Sequence, residues 1–326
     1  MIISEDKYLL LDRSVNQKKY HIKKILCIFQ SVWFKLKMLL FRPNNTAESK
    51  KYKISLCAIF RDEATILKEW IEYHRIVGVS HFYLYNNFSE DNYLEILKPY
   101  IDDDIITLID WPYKQAQMAA YQDCVDRFKN ETKWIGFIDL DEFVVPNKHY
   151  DNIYSFLKQF DSKRPIVIMY WRYFGSSGKI ERDRTKLIIE DFTSCWYKYA
   201  NIGKFFYNTD YDYNPSEKFT TGYMHYRWGA YRGKNLPPVN VFDKCVLRNV
   251  HIVPNDEMPI QINHYLLKSY NEYMEKKAKR GGGVHAIQKG FHDNEYFFRH
   301  DSLCQSTDYH IFKYLIKLKL SLGLSK

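Results

Sequence analysis

Between Lys51 and Phe160 the sequence alternates short apolar runs with stretches whose apolar residues recur at three- and four-residue steps, which leaves few architectures open. The run Ile54 to Phe60 stops at Arg61-Asp62-Glu63, and behind it Ile66, Leu67, Trp70, Ile71, Tyr73, His74 and Val77 fall on one helical face. Further β-rich runs follow at His81 to Tyr85, Ile105 to Ile109 and Trp134 to Ile138, with helices expected near Tyr93 to Leu97 and from about Gln115 to Phe128. Strands alternating with helices require right-handed crossovers, hence an α/β fold with a mostly parallel central sheet flanked by helices. Ligands of such sheets bind outside the carboxyl ends of the strands. The polar residues standing there are Arg61 and Asp62, Asn86 and Asn87, Asp110, and Asp139 with Asp141. Beyond Arg164, strand-like runs at Pro165 to Phe174 and Cys245 to Val253 read as a mixed continuation of the sheet under an irregular, aromatic-rich lid.

The sharpest local signal is Ile138-Asp139-Leu140-Asp141-Glu142-Phe143. Apolar neighbours put two carboxylates at the end of a buried strand, where they need a cation. A D-x-D pair there suits Mg²⁺ or Mn²⁺, which carboxylates hold while substrate phosphates and water complete the octahedron. A helix cap or a surface acidic pair is the alternative reading of the same tripeptide.

The net charge of +9 is uneven. Residues 1–50 hold ten Lys/Arg against four Asp/Glu, and residues 309–326 hold four Lys and no acid, so the body between them is close to neutral. A nucleic-acid partner is therefore not expected, since such a binder carries its basic charge on a central face. Both ends also carry apolar residues at helical spacing: Ile22, Ile25, Leu26, Phe29, Val32, Trp33, Leu36, Leu39 and Leu40 in the first, and Ile311, Phe312, Leu315, Ile316, Leu318 and Leu320 in the second. The uncharged run Ile25 to Phe34 is too short for a bilayer span, and no small-residue site for signal cleavage follows it. Basic amphipathic terminal helices lying on an anionic membrane surface are expected, with packing against the protein's own core as the alternative. The division is 1–50, a body at 51–308, and 309–326. Six cysteines without a C-x-x-C pair imply a reducing, cytoplasmic compartment, with the protein peripheral at the inner face of the membrane.

The motifs from about Ile54 to Gly283 resemble glycosyltransferase family 92 and its bacterial relatives among the glycosyltransferase-2-like proteins. The matching segments are AIFRDEATILKEWIEYHRIVGVSHFYLYNN at 58–87, QMAAYQDC at 117–124, WIGFIDLDEFVVP at 134–146, WRYFGSSG at 171–178 and INHYLLKSYNEYMEKKAKRGG at 262–282. The resemblance implies a Rossmann-like A-type glycosyltransferase fold. It implies a nucleotide-sugar donor, of the UDP-sugar type, and Mn²⁺ or Mg²⁺ as cofactor. Asp139 and Asp141 then form the family's D-x-D, Asp139 beside the ribose and also within the metal's ligand set, Asp141 on the metal, with His264 as a further metal ligand. Arg61, Asp62, Asn86, Asp110 and Gln117 join Asp139 in holding the nucleotide-sugar. Lys277 and Arg280, before Gly281-Gly282-Gly283, read from their position as a cationic helix end expected to close over a diphosphate, with compensation of the helix dipole as the alternative. Glu190 is the expected base of an inverting transfer, with Asp191 and Glu217 as alternatives. The segment from about Lys198 to Asn240 matches nothing in the family pattern.

Three functions remain distinct on this reading. The first is metal-dependent transfer of a sugar to a glycan or lipid-linked saccharide in cell-surface polysaccharide synthesis. The others are a two-metal phosphoesterase or nuclease built on Asp139, Asp141 and His264, and a non-catalytic carbohydrate- or membrane-binding module.

Overall fold

The four apolar runs of the amino-terminal half become four parallel strands in the computed structural model, which describes residues 4–11, 17–213, 225–280 and 292–324. A long helix, α1 (Gln17–Leu40), precedes β1 (Tyr52–Phe60), α2 (Ala64–Ile76), β2 (His81–Asn86), α3 (Tyr93–Asp102), β3 (Ile106–Asp110), α4 (Gln117–Phe128) and β4 (Thr132–Phe137). There follow β5 (Glu142–Pro146), α5 (Ile153–Leu157), β6 (Ile166–Tyr173), α6 (Ile188–Asp191), β7 (Gly203–Asn208), β8 (Val239–Asn240) and β9 (Ile260–His264). The carboxyl-terminal helices are α7 (Tyr270–Arg280), α8 (Asn294–Asp301) and α9 (Leu315–Ser321).

These nine strands form the main sheet, in the order β3-β2-β1-β4-β7-β6-β9-β5 with β8 paired to β6, and further short strands among the described residues form three small sheets beside it. Strands β1 to β4 are parallel and apolar on both faces because helices cover both. On one side Tyr121, Cys124, Val125 and Phe128 of α4 pack on Cys57, Tyr83, Ile135 and Phe205. On the other, Ile66, Leu67, Trp70 and Tyr73 of α2 enter the larger core cluster. The half beyond Arg164 is mixed: β7 runs antiparallel to both β4 and β6, while β9 is parallel to β6 and antiparallel to β5.

Two sequence expectations are corrected here. Cys245 to Val253 forms no strand; its β-bridges are isolated ones between Val239 and Cys245 and between Leu247 and Val250. The segment 198–240, expected within an irregular lid, supplies β7 at the centre of the sheet. Gly203 allows this placement, because a Cβ there would stand 1.8 Å from the Met169 carbonyl oxygen.

Strand β5 lies at the sheet's edge, where unpaired backbone groups need cover. The apolar face of α2 provides it with polar tips: Trp70 Nε1 donates to the Glu142 carbonyl at 2.9 Å and Tyr73 Oη to the Val144 carbonyl at 2.9 Å. His74 donates from Nδ1 to the Trp70 carbonyl and accepts the Val144 N–H at Nε2, and burial pushes its pKa down to about 3, so it stays neutral. The helix that packs the core thus also fixes the strand that begins at Glu142.

At the carboxyl terminus, Leu318 of α9 and the preceding Ile311 and Tyr314 are buried, and Tyr314 meets Tyr73 of α2 edge-on. The terminal segment therefore packs on the body through one face, while Ile316 and Leu320 remain exposed.

Glu69 joins α2 to α6. Its buried carboxylate accepts the Ile188 N–H at 2.9 Å and the Ile189 N–H at 3.2 Å. Burial raises its pKa from 4.5 to about 7 against the lowering effect of those two hydrogen bonds and of Arg182. Between those values the folded chain holds a proton that the unfolded chain releases, so this group's contribution to stability falls as pH rises through that window. We expect Glu69→Gln to remove that dependence: the melting temperature of the variant relative to wild type should be higher at about pH 8 than at about pH 5. Parallel melting curves across the range would contradict it.

Candidate active site

The strand directions decide what gathers at one edge of the sheet. Parallel β1 to β4 end there, as do β6 and β9, whereas antiparallel β5 and β7 begin there. The edge consequently collects Asp139 and Asp141 after β4, Glu142 opening β5, Lys204 near the start of β7, and Trp171 and His264 at the ends of β6 and β9. The ladder sets His264 opposite both Glu142 and Tyr173. The Tyr265 N–H, donated to the Asp141 carbonyl at 2.8 Å, ties the last two turns together.

The two aspartates have different surroundings. Asp139 Oδ1 accepts from Gln117 Nε2 at 2.8 Å and Tyr121 Oη at 3.3 Å, and its Oδ2 pairs with Lys204 Nζ at 2.9 Å. Burial acts to raise the Asp139 pKa, but the Lys204 ammonium outweighs it and the carboxyl ends below its usual range. Asp141 Oδ2 meets Lys277 Nζ at 2.7 Å, and its Oδ1 lies 3.5 Å from His264 Nε2. Burial opposes its ionisation too, yet Lys277 and His264 hold its pKa well below the ordinary value.

Glu142 is fully buried, and its Oε2 accepts the Asp139 N–H at 3.0 Å. Its Oε1 has no hydrogen-bond partner and stands 3.8 Å from Lys204 Nζ and 3.9 Å from His264 Nδ1, which is also unpartnered. Burial, then the neighbouring aspartates, push the Glu142 pKa well up against the pull of Lys204. Burial lowers the His264 pKa despite Asp141, favouring the neutral imidazole that a metal needs. Ligand atoms of Asp141, Glu142 and His264 lie within 4.8 Å of one another. Two orphaned buried atoms in a set of two carboxylates and an imidazole fit a divalent cation, and the imidazole suits Mn²⁺ better than Mg²⁺.

Helix α7 crosses toward this cluster with adjacent lysines. Lys276 Nζ bonds the Asp62 carbonyl at 3.1 Å and Glu63 at 3.0 Å, while Lys277 reaches Asp141. The turn after β1 is laced to the turn after β2: Asp62, in the left-handed region at φ 52°, accepts the Glu90 N–H at its carboxylate and donates its own N–H to Ser89 Oγ. Arg61 is half-exposed and lies 3.6 Å from Asp62. Asn86 bonds Asp110 at 3.0 Å, as their pairing in the β2–β3 register dictates.

The structure thus joins Gln117, Asp139, Asp141, His264 and Lys277 by direct contacts or through the cluster between them. It sets Arg61 with Asp62, and Asn86 with Asp110, at the same edge. Glu190 touches other groups: its carboxylate caps the Leu187 N–H at 3.3 Å and pairs with Lys319 of α9 at 2.5 Å. Asp191 is buried on Lys179 at 3.0 Å and on the Asp183 N–H. Glu217 and the side chain of Arg280 lie outside the described residues, as does Gly281-Gly282-Gly283. Sequence reasoning missed Lys204 and the ligand position of Glu142. The available signal for Lys204 was a lysine in the apolar run Gly203 to Tyr207, which must find a buried partner.

A relative from Arabidopsis thaliana, "Glycosyltransferase family 92 protein At1g27200", is 33% identical over 210 residues, 62% of this chain and 31% of its own length. The Caenorhabditis elegans protein "Beta-1,4-galactosyltransferase galt-1" is 35% identical over 115 residues, 31% of this chain and 27% of its own. The chain thus spans under a third of the length of these relatives. Among solved structures, S. aureus TarS 1-349 in complex with UDP aligns with 48% of this chain and 47% of its own at a TM-score of 0.33 and 11% identity. The sequence model of the family matches residues 50–296 without a break in the body described above, and the chain belongs to glycosyltransferase family 92.

Proposed function

We propose that this chain transfers a hexosyl group, galactose being the sugar named for one of its relatives, from a UDP-sugar to a hydroxyl of a glycan or lipid-linked saccharide. The observation that carries the reading is the convergence of Asp141, Glu142 and His264, with two unpartnered buried ligand atoms, at the sheet edge where nucleotides bind. Asp141, Glu142 and His264 would hold Mn²⁺ or Mg²⁺, and the ion would supply Lewis-acid neutralisation of the leaving diphosphate. Glu142 thereby takes the place of Asp139 in the ligand set, and Asp139 serves the nucleotide alone. Gln117, Tyr121 and Lys204 fix its carboxylate, leaving an oriented acceptor for a ribose hydroxyl. Lys277 brings a cation to the same place from α7 and meets the diphosphate with Arg280. Arg61, Asp62, Asn86 and Asp110 line the nucleotide side of the edge.

For an inverting transfer the acceptor hydroxyl gives its proton to a carboxylate, and Glu190 is the assigned base, with Asp191 and Glu217 as alternatives. Acceptor binding must then exchange the Lys319 pair for the hydroxyl. A two-metal phosphoesterase would need a second ligand group, and the described residues hold one three-ligand cluster. A place in cell-surface polysaccharide synthesis at the inner face of an anionic membrane completes the reading.

Calorimetry with UDP in the presence of Mn²⁺ should show binding that EDTA abolishes. Asp141→Asn and Glu142→Gln should each weaken it beyond the about 10- to 100-fold that changes outside the ligand shell cost, with melting temperature preserved. Unchanged UDP affinity in both variants would remove the metal assignment. Glu190→Gln should retain donor binding while transfer falls by about 10² to 10⁴-fold, the usual contribution of a general base. Near-normal turnover would move that role to Asp191 or Glu217.

A further inference from the structure

Helix α1 is about 36 Å long at 1.5 Å per residue, and only one of its faces meets the body. Tyr20, Cys27 and Met38 are buried on that face, with Phe34 edge-on to Trp228 beside them. Three of its lysines also point to the protein: Lys24 pairs with Asp6 at 2.8 Å, Lys35 with Asp243 at 3.3 Å, and Lys37 donates to the Asn235 carbonyl at 2.8 Å. Asp243 is itself clamped by Arg164 at 2.6 and 2.9 Å, so the helix has a fixed rotation about its own axis.

That rotation turns the apolar stripe away from the core. At about 100° per residue, Phe29 lies nearly opposite Cys27, Tyr20 and Met38, and Ile22, Leu36 and Leu40 align with it. Phe29 is 73% exposed, Trp33 66% and Leu40 79%. A helix packed on its own protein shows water a polar face, and contiguous apolar surface of this extent on a monomer marks an interaction site.

We infer that this ridge is an interfacial foot that lies in the headgroup region of an anionic lipid bilayer. The charge of α1 selects the partner: it has six lysines and no acidic residue, and although Lys24 and Lys35 pair with Asp6 and Asp243, Lys23 is exposed on the flank toward Cys27 and Lys37 keeps its charge near Lys234. A second copy of the helix would set two such lysine arrays against each other, whereas anionic headgroups complement them. No described helix is long and apolar enough to cross a membrane, so α1 lies on the surface. Because Lys24, Lys35 and Lys37 are occupied inward, the apolar ridge supplies most of the attachment and the lysines a smaller share. The inference names the lipid contact that the proposed membrane location requires, but its evidence is independent of the donor and metal assignments.

The test is flotation of the whole protein, without metal or nucleotide, on phosphatidylcholine vesicles with and without phosphatidylglycerol. The wild type should float with the anionic vesicles, and the double variant Phe29→Ser, Trp33→Ser should bind at least about tenfold less, since two aromatic anchors are lost. Both side chains are exposed, so the variant should keep its melting temperature. Quenching of tryptophan emission by mid-chain brominated lipid that disappears in Trp33→Phe, while the other six tryptophans still emit, would place this residue in the bilayer. Absence of flotation, flotation unchanged in the double variant, or a solution dimer that the double variant dissociates would each overturn the proposal. The last would assign the ridge to a second copy.

Discussion

Three carboxylates, Asp139, Asp141 and Glu142, share one buried edge of the sheet, and the arrangement around them answers the cost of placing charge there. Each is handled differently. Lys204 neutralises Asp139 from the central strand, Lys277 reaches Asp141 from α7, and Glu142 keeps its proton more tightly than a free carboxyl. His264 stands between the last two with one ring nitrogen toward each. The backbone serves the same end, since β7 approaches β6 closely at Gly203 and delivers Lys204, while α2 secures the free edge of β5.

This arrangement gives the two aspartates of the D-x-D different surroundings. Asp139 is orientated by Gln117, Tyr121 and Lys204, a set of donors that leaves it suited to one further hydroxyl. Asp141 has a single flexible lysine and an imidazole, so its field is open to a cation and a diphosphate. The alternation of residues across Leu140 makes the difference possible: the first aspartate faces α4 and the second faces α7 and β9.

Legibility in the sequence followed the range of the interactions. The β-α alternation from Ile54 to Phe137 was readable because strand burial and helix periodicity are local properties, and the polar residues at the strand ends came with it. Asp139, Asp141 and His264 were readable through the motifs that carry them. Lys204 was not, because its meaning depends on an antiparallel strand inserted between β4 and β6, and the segment around it matched no pattern. Cys245 to Val253 read as a strand from apolar content, but the residues ladder with no neighbour and their side chains pack instead. For α1 the stripe was legible and its direction was not, since the rotation is fixed by Asp6, Asp243 and Asn235, remote in sequence.

In the proposed function the edge cluster holds a divalent cation through His264 as well as through carboxylate oxygen. Pulsed electron paramagnetic resonance of the Mn²⁺-loaded protein with UDP tests it most directly, because modulation from a directly bound imidazole nitrogen is separable from that of distant nitrogens. The account predicts one strongly coupled nitrogen in the wild type that disappears in His264→Gln while the manganese signal of bound ion persists at higher metal concentration. A bound Mn²⁺ with no such coupling, or with a coupling that survives the substitution, would contradict it.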